Sequence, residues 1–310
     1  DVWVFDPTSL GHPLGGTPLR ILEFFAGAPR AMAKSPDGNT VYAAAFRSGN
    51  RTTIIPEGAV PNGFSSAGPS GSAPGGLLGP SDNAAGASAP ETGIIVQFDG
   101  TQWVDAAGRD WSGLVNLNLP DIDVVSFDAN LTASGPTGLQ QVVGVGTILF
   151  HMVTNPASGM IYVMNTELPN LFNFEGAGHH GGSTVQGHLS ESRISVIDPN
   201  TLSVDSQHLN LHIDYSKLHT DVPDLVDPSQ IEHSLATPLQ SVVSSDGLTL
   251  YTAAFGSAKV GVFSTASIED PAFETNFDPT AESANYIDTG GGPCGLVLDE
   301  TNGRLYVFTR

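Results

Sequence analysis

The stretch Ser35-Pro-Asp-Gly-Asn-Thr-Val-Tyr-Ala-Ala-Ala-Phe46 decides the fold, because it has the pattern of a β-hairpin and its relatives recur along the chain. Its Pro-Asp-Gly-Asn segment favours a tight turn, since proline presets its own backbone angle and glycine adopts positive φ without steric cost. The residues from Val41 to Phe46 are apolar and suit a strand. The stretch therefore predicts two antiparallel strands joined by a short turn.

This hairpin recurs with a constant spacing. In three copies, 13 positions separate a proline from a tyrosine, with a glycine-containing turn between them, and a fourth copy begins with leucine but keeps the spacing. Four equal spacings predict a structural repeat, whereas four unrelated hairpins would be the alternative. The copies are Pro29 to Tyr42, Leu149 to Tyr162, Pro238 to Tyr251 and Pro293 to Tyr306.

Each hairpin is followed, at a varying distance, by a short β-rich strand that often ends in an acidic residue. A weaker outer strand then follows, as in Arg20–Phe25 and Val204–Leu211. Four antiparallel strands repeated around an axis form a β-propeller blade, so the sequence predicts an all-β propeller with long loop insertions. The third-strand segments are Asp1–Asp6, Gly93–Asp99, Asp123–Asp128, Ser192–Asp198 and Lys259–Phe263.

We expect a single propeller domain over residues 1–310. Its repeats are interrupted by a loop rich in Gly, Pro, Ser and Ala at residues 56–91, and by further insertions at residues 165–191 and 212–234. Glycine-rich and proline-rich stretches bury too little apolar area to offset the entropy of ordering them, so the first insertion is expected to be a surface loop.

The repeats indicate about five blades. A wide gap separates Tyr42 from Tyr162, and a degenerate blade between Trp103 and Leu139, containing Asp123–Asp128, would fill it. Two alternatives remain for the ends. Either the first strand closes the ring beside Arg304–Arg310, or, as we favour, the chain is a segment of a longer protein whose ring has the commoner seven blades.

Three of the hairpins resemble the "SPDG…lYVtN" repeat of the YVTN, or YncE-like, β-propellers. The residues that carry the resemblance are Ser35-Pro-Asp-Gly-Asn-Thr-Val-Tyr42, Gly159-Met-Ile-Tyr-Val-Met-Asn165 and Gly303-Arg-Leu-Tyr-Val-Phe308. The resemblance implies the propeller fold. It implies little about function, since such propellers include binding modules, surface-layer proteins, lactonases and quinone-dependent redox enzymes.

Composition limits the partners. The formal charge of −21, from 11 basic against 32 acidic residues, argues against nucleic acid, because a polyanion would be repelled. A protein or a small molecule is the expected partner. The cofactor is left open: the spread acidic residues suit either a solvated surface or capture of a divalent metal such as Ca²⁺. No apolar run is long enough to predict a membrane span.

The single cysteine, Cys294, excludes a disulfide within the chain and leaves an inert thiol as the default interpretation. The low lysine content, the abundance of small polar residues and the resemblance together suggest a periplasmic or cell-surface location. The lysines are Lys34, Lys217 and Lys259.

In a propeller, the innermost strands line a central channel, and the residues that enter these strands shape its mouth. Among them we select Arg30, His151 and Gln240 as candidate ligand-binding residues, while a surface or hydrogen-bonded structural role is the alternative. No catalytic residue is predicted. The remaining entering residues are Phe150, Leu239, Cys294 and Gly295.

Histidines form the other cluster. His179, His180 and His188 lie in the second insertion and are candidate metal ligands, because imidazole is the commonest metal ligand in proteins. Their spacing matches neither a helical motif nor a zinc finger, so a flexible loop is the alternative. Further histidines that could join them are His208, His212, His219 and His233.

The sequence favours a non-catalytic, extracytoplasmic binding scaffold. No nucleophile elbow, P-loop or dinucleotide motif is present. One alternative is a metal-dependent, lactonase-like hydrolase, for which His151, Asn155 and Glu167 are the nearest approach to an ion-binding set. Another is a redox-associated propeller whose cofactor module, such as a c-type cytochrome, lies outside this segment.

Overall fold

A computed structural model gives the structure of the protein and describes most of the chain. The described residues form nineteen strands and four short α-helices, so the fold is nearly all β, as the hairpin pattern predicts. None of these helices has the length or the apolar character needed to span a bilayer. The described ranges are 1–11, 15–49, 51–60, 93–105, 108–116, 121–130, 139–168, 189–213 and 228–310.

The first two strands form a small antiparallel sheet. Strand β1 (Val2–Val4) pairs with β2 (Arg20–Leu22), as expected for a third strand followed by its outer strand. Their buried residues Val2 and Leu22 pack into a core cluster that also contains Val125 of the first blade. This two-stranded sheet therefore lies against the first blade.

The quoted stretch forms the hairpin of the first blade. Strand β3 (Gly27–Lys34) pairs antiparallel with β4 (Thr40–Arg47). The turn is held by Asp37, whose carboxylate accepts hydrogen bonds from the Ser35 hydroxyl at 2.5 Å and the Asn39 main-chain N–H at 3.0 Å. These bonds, that of Ser35 first, lower the pKa of Asp37 below its ordinary value.

A separate three-stranded sheet follows, and here the sequence prediction was wrong. Strands β5 (Thr52–Ile55), β6 (Ile94–Phe98) and β7 (Trp103–Val104) pair only with one another in the described part of the chain. The segment Gly93–Asp99 is therefore the centre of an inserted sheet and not the third strand of the first blade. Its side chains have their own core, which includes Trp103.

The first blade is completed after this insertion. Strand β8 (Val124–Asp128) pairs with β4, and β9 (Gln140–Val142) pairs with β8. The predicted degenerate blade between Trp103 and Leu139 is therefore absent, because Asp123–Asp128 supplies the third strand of the first blade. Strand β8 can serve there because it is almost wholly buried, with Val124 and Val125 in the core.

The second blade is a regular antiparallel meander. Its strands are β10 (Ile148–Thr154), β11 (Ile161–Glu167), β12 (Glu191–Ile197) and β13 (Val204–His208), which pair in chain order. A single pair of residues, Ile148 and Arg47, also connects β10 to β4, so the first two blades share one continuous sheet.

The third blade repeats this order. Strands β14 (Pro238–Val243), β15 (Thr249–Ala254), β16 (Lys259–Ser264) and β17 (Ile287–Asp288) pair in sequence. The four helices belong to its periphery. Helix α1 (Pro228–His233) precedes β14, and between β16 and β17 lie α2 (Thr265–Ile268), α3 (Phe273–Asn276) and α4 (Pro279–Ser283).

The last hairpin contains β18 (Pro293–Asp299) and β19 (Arg304–Thr309), which pair only with each other among the described strands. Because β1 pairs with β2 and not with β19, the alternative in which the first strand closes the ring beside Arg304–Arg310 is not found. The first strands of the four hairpins, here called the inner strands, pack side by side in the order β3, β10, β14 and β18.

The four hairpins share one register and one turn geometry. In each, the repeat tyrosine lies opposite the residue nine positions before it, and the turn glycine has positive φ, between +62° and +79°. The chain therefore folds as a β-propeller of four-stranded antiparallel blades, with three complete blades and a two-stranded sheet at each end. The opposed pairs are Tyr42 with Ala33, Tyr162 with Val153, Tyr251 with Val242 and Tyr306 with Val297.

Parts of the predicted insertions lie outside the described residues. They comprise most of residues 56–91, most of 165–191 and residues 214–227 of the third insertion. The described end of the third insertion forms α1.

A buried carboxyl group joins the first blade to the loop before β5. The carboxyl group of Asp123 contacts the Ser48 hydroxyl and accepts a hydrogen bond from the Val145 N–H at 2.5 Å. Ser48 also donates to Asp121 at 2.8 Å. Burial is the main cause that raises the pKa of Asp123 to about 6 from its ordinary 3.8. In the folded state, the neutral carboxyl group therefore persists up to about pH 6.

We expect Asp123→Asn to make the protein less sensitive to pH. The folded state disfavours ionisation of Asp123. Ionisation of this carboxyl group therefore destabilises the protein increasingly as the pH rises from about 4 through about 6. Between pH 5 and pH 7.5, the free energy of unfolding of the wild type should fall relative to the variant by about 1 kcal/mol. Urea unfolding of both proteins at both pH values measures this difference in the free energy of unfolding. A difference between the two proteins that is the same at both pH values would contradict the raised pKa.

Candidate functional site

Every inner strand carries a β-bulge at the same position of the repeat. A bulge inserts an extra residue into one strand and re-aims its side chain, and bulges are common beside active sites. The recurrence of the bulge in four hairpins makes the start of the inner strands the candidate site. The irregular pairings fall between Pro29 and Ala31, Leu149 and His151, Pro238 and Ser241, and Pro293 and Gly295.

The bulges surround one cavity of about 590 Å³. This volume lies within the range of roughly 300–1,000 Å³ that is common for small-molecule sites. The structure places all three selected residues, Arg30, His151 and Gln240, in its wall. The other lining residues are Ala31, Phe150, Thr237, Leu239, Phe255, Cys294 and Arg310.

Arg30 is positioned by aromatic rings. Its guanidinium carbon lies 4.8 Å from the centre of the Phe46 ring, and Phe46 meets Phe150 edge to face with ring centres 6.1 Å apart. A cation over an aromatic face is attracted to the ring's negative quadrupole. The ring thus holds the guanidinium at the cavity without neutralising its charge.

Gln240 contacts the next inner strand. Its side-chain oxygen accepts a hydrogen bond from the Leu296 main-chain N–H at 2.9 Å. The amide NH₂ group, which only donates, has no hydrogen-bond partner among the described residues and is therefore available to a ligand.

His151 makes the equivalent contact one blade earlier. Its Nδ1 accepts a hydrogen bond from the Ser241 N–H at 3.3 Å. Burial lowers the pKa of His151 below its ordinary value of 6.5, so the ring is neutral near pH 7. A neutral imidazole whose Nδ1 accepts must carry its proton on Nε2, so the remaining nitrogen is a donor.

The cavity is consequently rich in hydrogen-bond donors. Arg30 and Arg310 donate and never accept, and the available groups of His151 and Gln240 also donate. The half-buried Cys294 thiol and the Thr237 hydroxyl complete the polar lining. This arrangement can bind a molecule that presents several oxygen acceptors or a negative charge.

Sequence reasoning missed Phe255 and Arg310. Both occupy one position of the repeat, four residues after the tyrosine, and Phe46 occupies the same position in the first hairpin. In an antiparallel hairpin, the end of the second strand lies beside the start of the first, so extending the repeat by four residues would have identified all three.

The alternative ion-binding set is not assembled. Asn155 lies in the turn after β10, where its amide donates to the Tyr162 hydroxyl at 2.8 Å and to Glu269 at 3.1 Å. Glu167 lies at the end of β11 and accepts from the Thr147 hydroxyl at 3.3 Å. Neither lines the cavity that contains His151.

The histidine cluster is only partly described. His179, His180, His188 and His219 lie outside the described residues, so the metal site there stays a prediction. His212 and His233 meet edge to face at 6.1 Å, and His233 is hydrogen-bonded through Nδ1 to Ser283 at 2.5 Å. Among the described residues, no three His, Cys, Asp or Glu side chains are grouped so as to hold a metal ion.

Comparisons with known proteins add solved structures of low similarity. No protein-family model and no curated protein matches the chain. The hydrazine synthase of Kuenenia stuttgartiensis is 11% identical with a TM-score of 0.40, and the match covers 91% of this chain and 71% of that one. The periplasmic gluconolactonase of Pseudomonas aeruginosa is 15% identical with a TM-score of 0.40, over 98% of this chain and 55% of that one.

A third similar structure is the Swd1 β-propeller domain of Myceliophteria thermophila. It is 10% identical with a TM-score of 0.35, over 92% of this chain and 64% of that one. The chain thus spans between about half and about seven tenths of the lengths of these structures.

The tautomer of His151 can be tested directly. In long-range ¹H–¹⁵N spectra of the protein, we expect its signals to show a neutral ring protonated at Nε2, with a midpoint of titration below 6.5 because burial disfavours the charged form. His151→Gln identifies the signals. A ring protonated at Nδ1, or a midpoint above 6.5, would exclude the donor role inferred for Nε2.

Proposed function

We propose that the protein is a non-catalytic binding propeller whose ligand is a small anion, such as a carboxylate or phosphate, held in the cavity at the start of the inner strands. The observation that carries this proposal is the character of four of the polar groups that line the cavity. Those of Arg30, Arg310, His151 and Gln240 all donate hydrogen bonds.

The charge of the whole protein makes this local arrangement selective. With a net charge of −21, the surface repels anions in general. A ligand therefore gains most where two arginines and two neutral donors line one cavity, since charge-assisted hydrogen bonds to an oxyanion are stronger than neutral ones. The apolar walls, which include Phe150, Leu239 and Phe255, favour a compact molecule over a long polyanion.

We place this protein among the YVTN-like propellers and outside the cytoplasm. The repeat residues quoted above support the family, and the scarcity of lysine supports the location. Both remain parts of the proposal.

A lactonase-like hydrolase is the second candidate. The observation that favours it is the presence of His151 and the Cys294 thiol in one cavity. Base catalysis by His151 would need a free acceptor nitrogen, whereas its Nδ1 is occupied by Ser241. A redox role would depend on a cofactor module outside this segment.

We expect calorimetry to detect binding of citrate or D-gluconate and no binding of sorbitol, which is similar in size to gluconate but uncharged. Arg30→Gln should weaken binding by at least about tenfold, because it removes a charge-assisted contact. Binding should also weaken as salt is added. Arg304→Gln, at an exposed position of β19, is the matched control and should bind as the wild type does.

Two results would reject this function. One is the absence of saturable binding of either anion by the wild type. The other is hydrolysis of D-glucono-δ-lactone above the buffer rate that is lost in His151→Gln, which would establish the hydrolase in its place.

A further inference from the structure

A second cavity, of about 560 Å³, lies beside the first blade, and the only inner-strand residue among those that line it is Gly27, the first residue of β3. It is formed where the chain leaves β2, where β4 ends, and where the inserted sheet β5–β7 begins. We call it the aromatic cavity after four residues that line it, namely Phe24, Phe25, Phe98 and Trp103. The cavity at the start of the inner strands, which we call the axial cavity, shares none of its lining residues with the aromatic cavity.

The aromatic walls suit a flat apolar body. The rings of Phe98 and Trp103 are 5.4 Å apart and tilted by 45°, and Trp103 is otherwise buried in the core of the inserted sheet. Phe25 is 62% exposed, so this large ring lies at the open side of the cavity with little covering it. Aromatic rings contribute large apolar contact areas with specific stacking geometry.

The cavity also has a positive side. Arg47 and Arg51 line it, and neither guanidinium group has an ion-pair or hydrogen-bond partner in the part of the chain that the structure describes. The Arg51 guanidinium lies beside Gly144, where a Cβ atom would come within 3.8 Å of it. With Asp121 as the one acidic side chain among these lining residues, the two arginines leave the lining with a net positive charge, in a chain with only 11 basic residues.

The one carboxylate among the described lining residues is hydrogen-bonded to the loop that carries Arg51. Asp121 accepts hydrogen bonds from the Ser48 hydroxyl at 2.8 Å, the Gly49 N–H at 3.0 Å and the Arg51 N–H at 2.6 Å. It thereby fixes the loop that carries Arg51 and leaves the side chain of Arg51 available.

The backbone of Arg51 has a conformation that is often found at ligand-binding positions. Its φ is +49°, in the left-handed region that is unfavourable for residues other than glycine. Such strain persists only where surrounding contacts impose it, and it clusters at ligand-binding positions. Here the N–H of Arg51 is held by its hydrogen bond to Asp121.

We propose that the aromatic cavity is a second binding site, specific for a small amphipathic anion with a flat aromatic or alicyclic body and one carboxylate. The rings enclose the apolar body, and the guanidinium groups of Arg47 and Arg51 hold the carboxylate, for which their planar geometry is suited. This site is independent of the anion site in the axial cavity.

The probe is 2-naphthoate, and its neutral amide, 2-naphthamide, is the matched control ligand. We expect one saturable site per chain for 2-naphthoate, measured by calorimetry and by a change in tryptophan emission. The amide should bind at least about tenfold more weakly, because it lacks the charge that a guanidinium group recognises. Trp103→Phe should remove most of the emission change.

Variants locate the site. Arg51→Gln and Arg47→Gln should each weaken 2-naphthoate binding by at least about tenfold, and Arg51→Lys should weaken it less, because it keeps the charge but loses the planar geometry. Arg30→Gln, in the axial cavity, should leave it unchanged. Circular dichroism and thermal unfolding establish that each variant is folded.

The proposal is overturned if the wild type does not bind 2-naphthoate saturably, if the amide binds equally well, or if folded Arg47→Gln and Arg51→Gln variants both bind as the wild type does. Loss of 2-naphthoate binding in Arg30→Gln would also overturn it, since that result would place the probe in the axial cavity. Because citrate and gluconate binding are measured on the same variants, failure of one site is distinguishable from failure of the other.

Discussion

A side chain of one inner strand accepts a hydrogen bond from the main chain of the next inner strand, and this occurs twice at one position of the repeat. His151 accepts from Ser241, and Gln240 accepts from Leu296. Both main-chain donors follow a bulge, where regular pairing is interrupted and an N–H can lose its partner. A buried N–H without a partner costs roughly 1–3 kcal/mol, so the neighbouring side chain removes a defect that the bulge would create.

The same two bonds determine what the axial cavity offers to a ligand. In each bond, an acceptor atom of the side chain binds the main chain of the next strand, and the donor group of that side chain is left available to a ligand. An acidic protein thereby acquires a site for negatively charged groups without any excess of basic residues, since its 11 cations are outnumbered by 32 carboxylates. In the aromatic cavity, the side chain of Arg51 is likewise available to a ligand, because the Asp121 carboxylate is hydrogen-bonded to the loop that carries Arg51.

Local chemistry explains which features the sequence predicts. Turn residues and strand alternation act over a few positions, so the four hairpins, their register and the approach of Arg30, His151 and Gln240 follow from them. Pairing between distant segments does not. The sequence predicts a separate blade for β8, because a whole sheet intervenes between it and β4 and no local pattern in Asp123–Asp128 specifies its partner. The aromatic cavity escaped prediction for the same reason, since its walls come from separate segments.

The junction between the first and second blades differs from the two later junctions at this repeated position. Ala31 stands where His151 and Gln240 stand in later repeats and has no side-chain acceptor, and here a main-chain pairing between Ile148 and Arg47 joins the two blades. The inserted sheet β5–β7 leaves the first blade just beyond Arg47, and the chain returns to that blade at β8. Changes in the length or sequence of this sheet can therefore alter the aromatic cavity, while the contacts between the inner strands are kept.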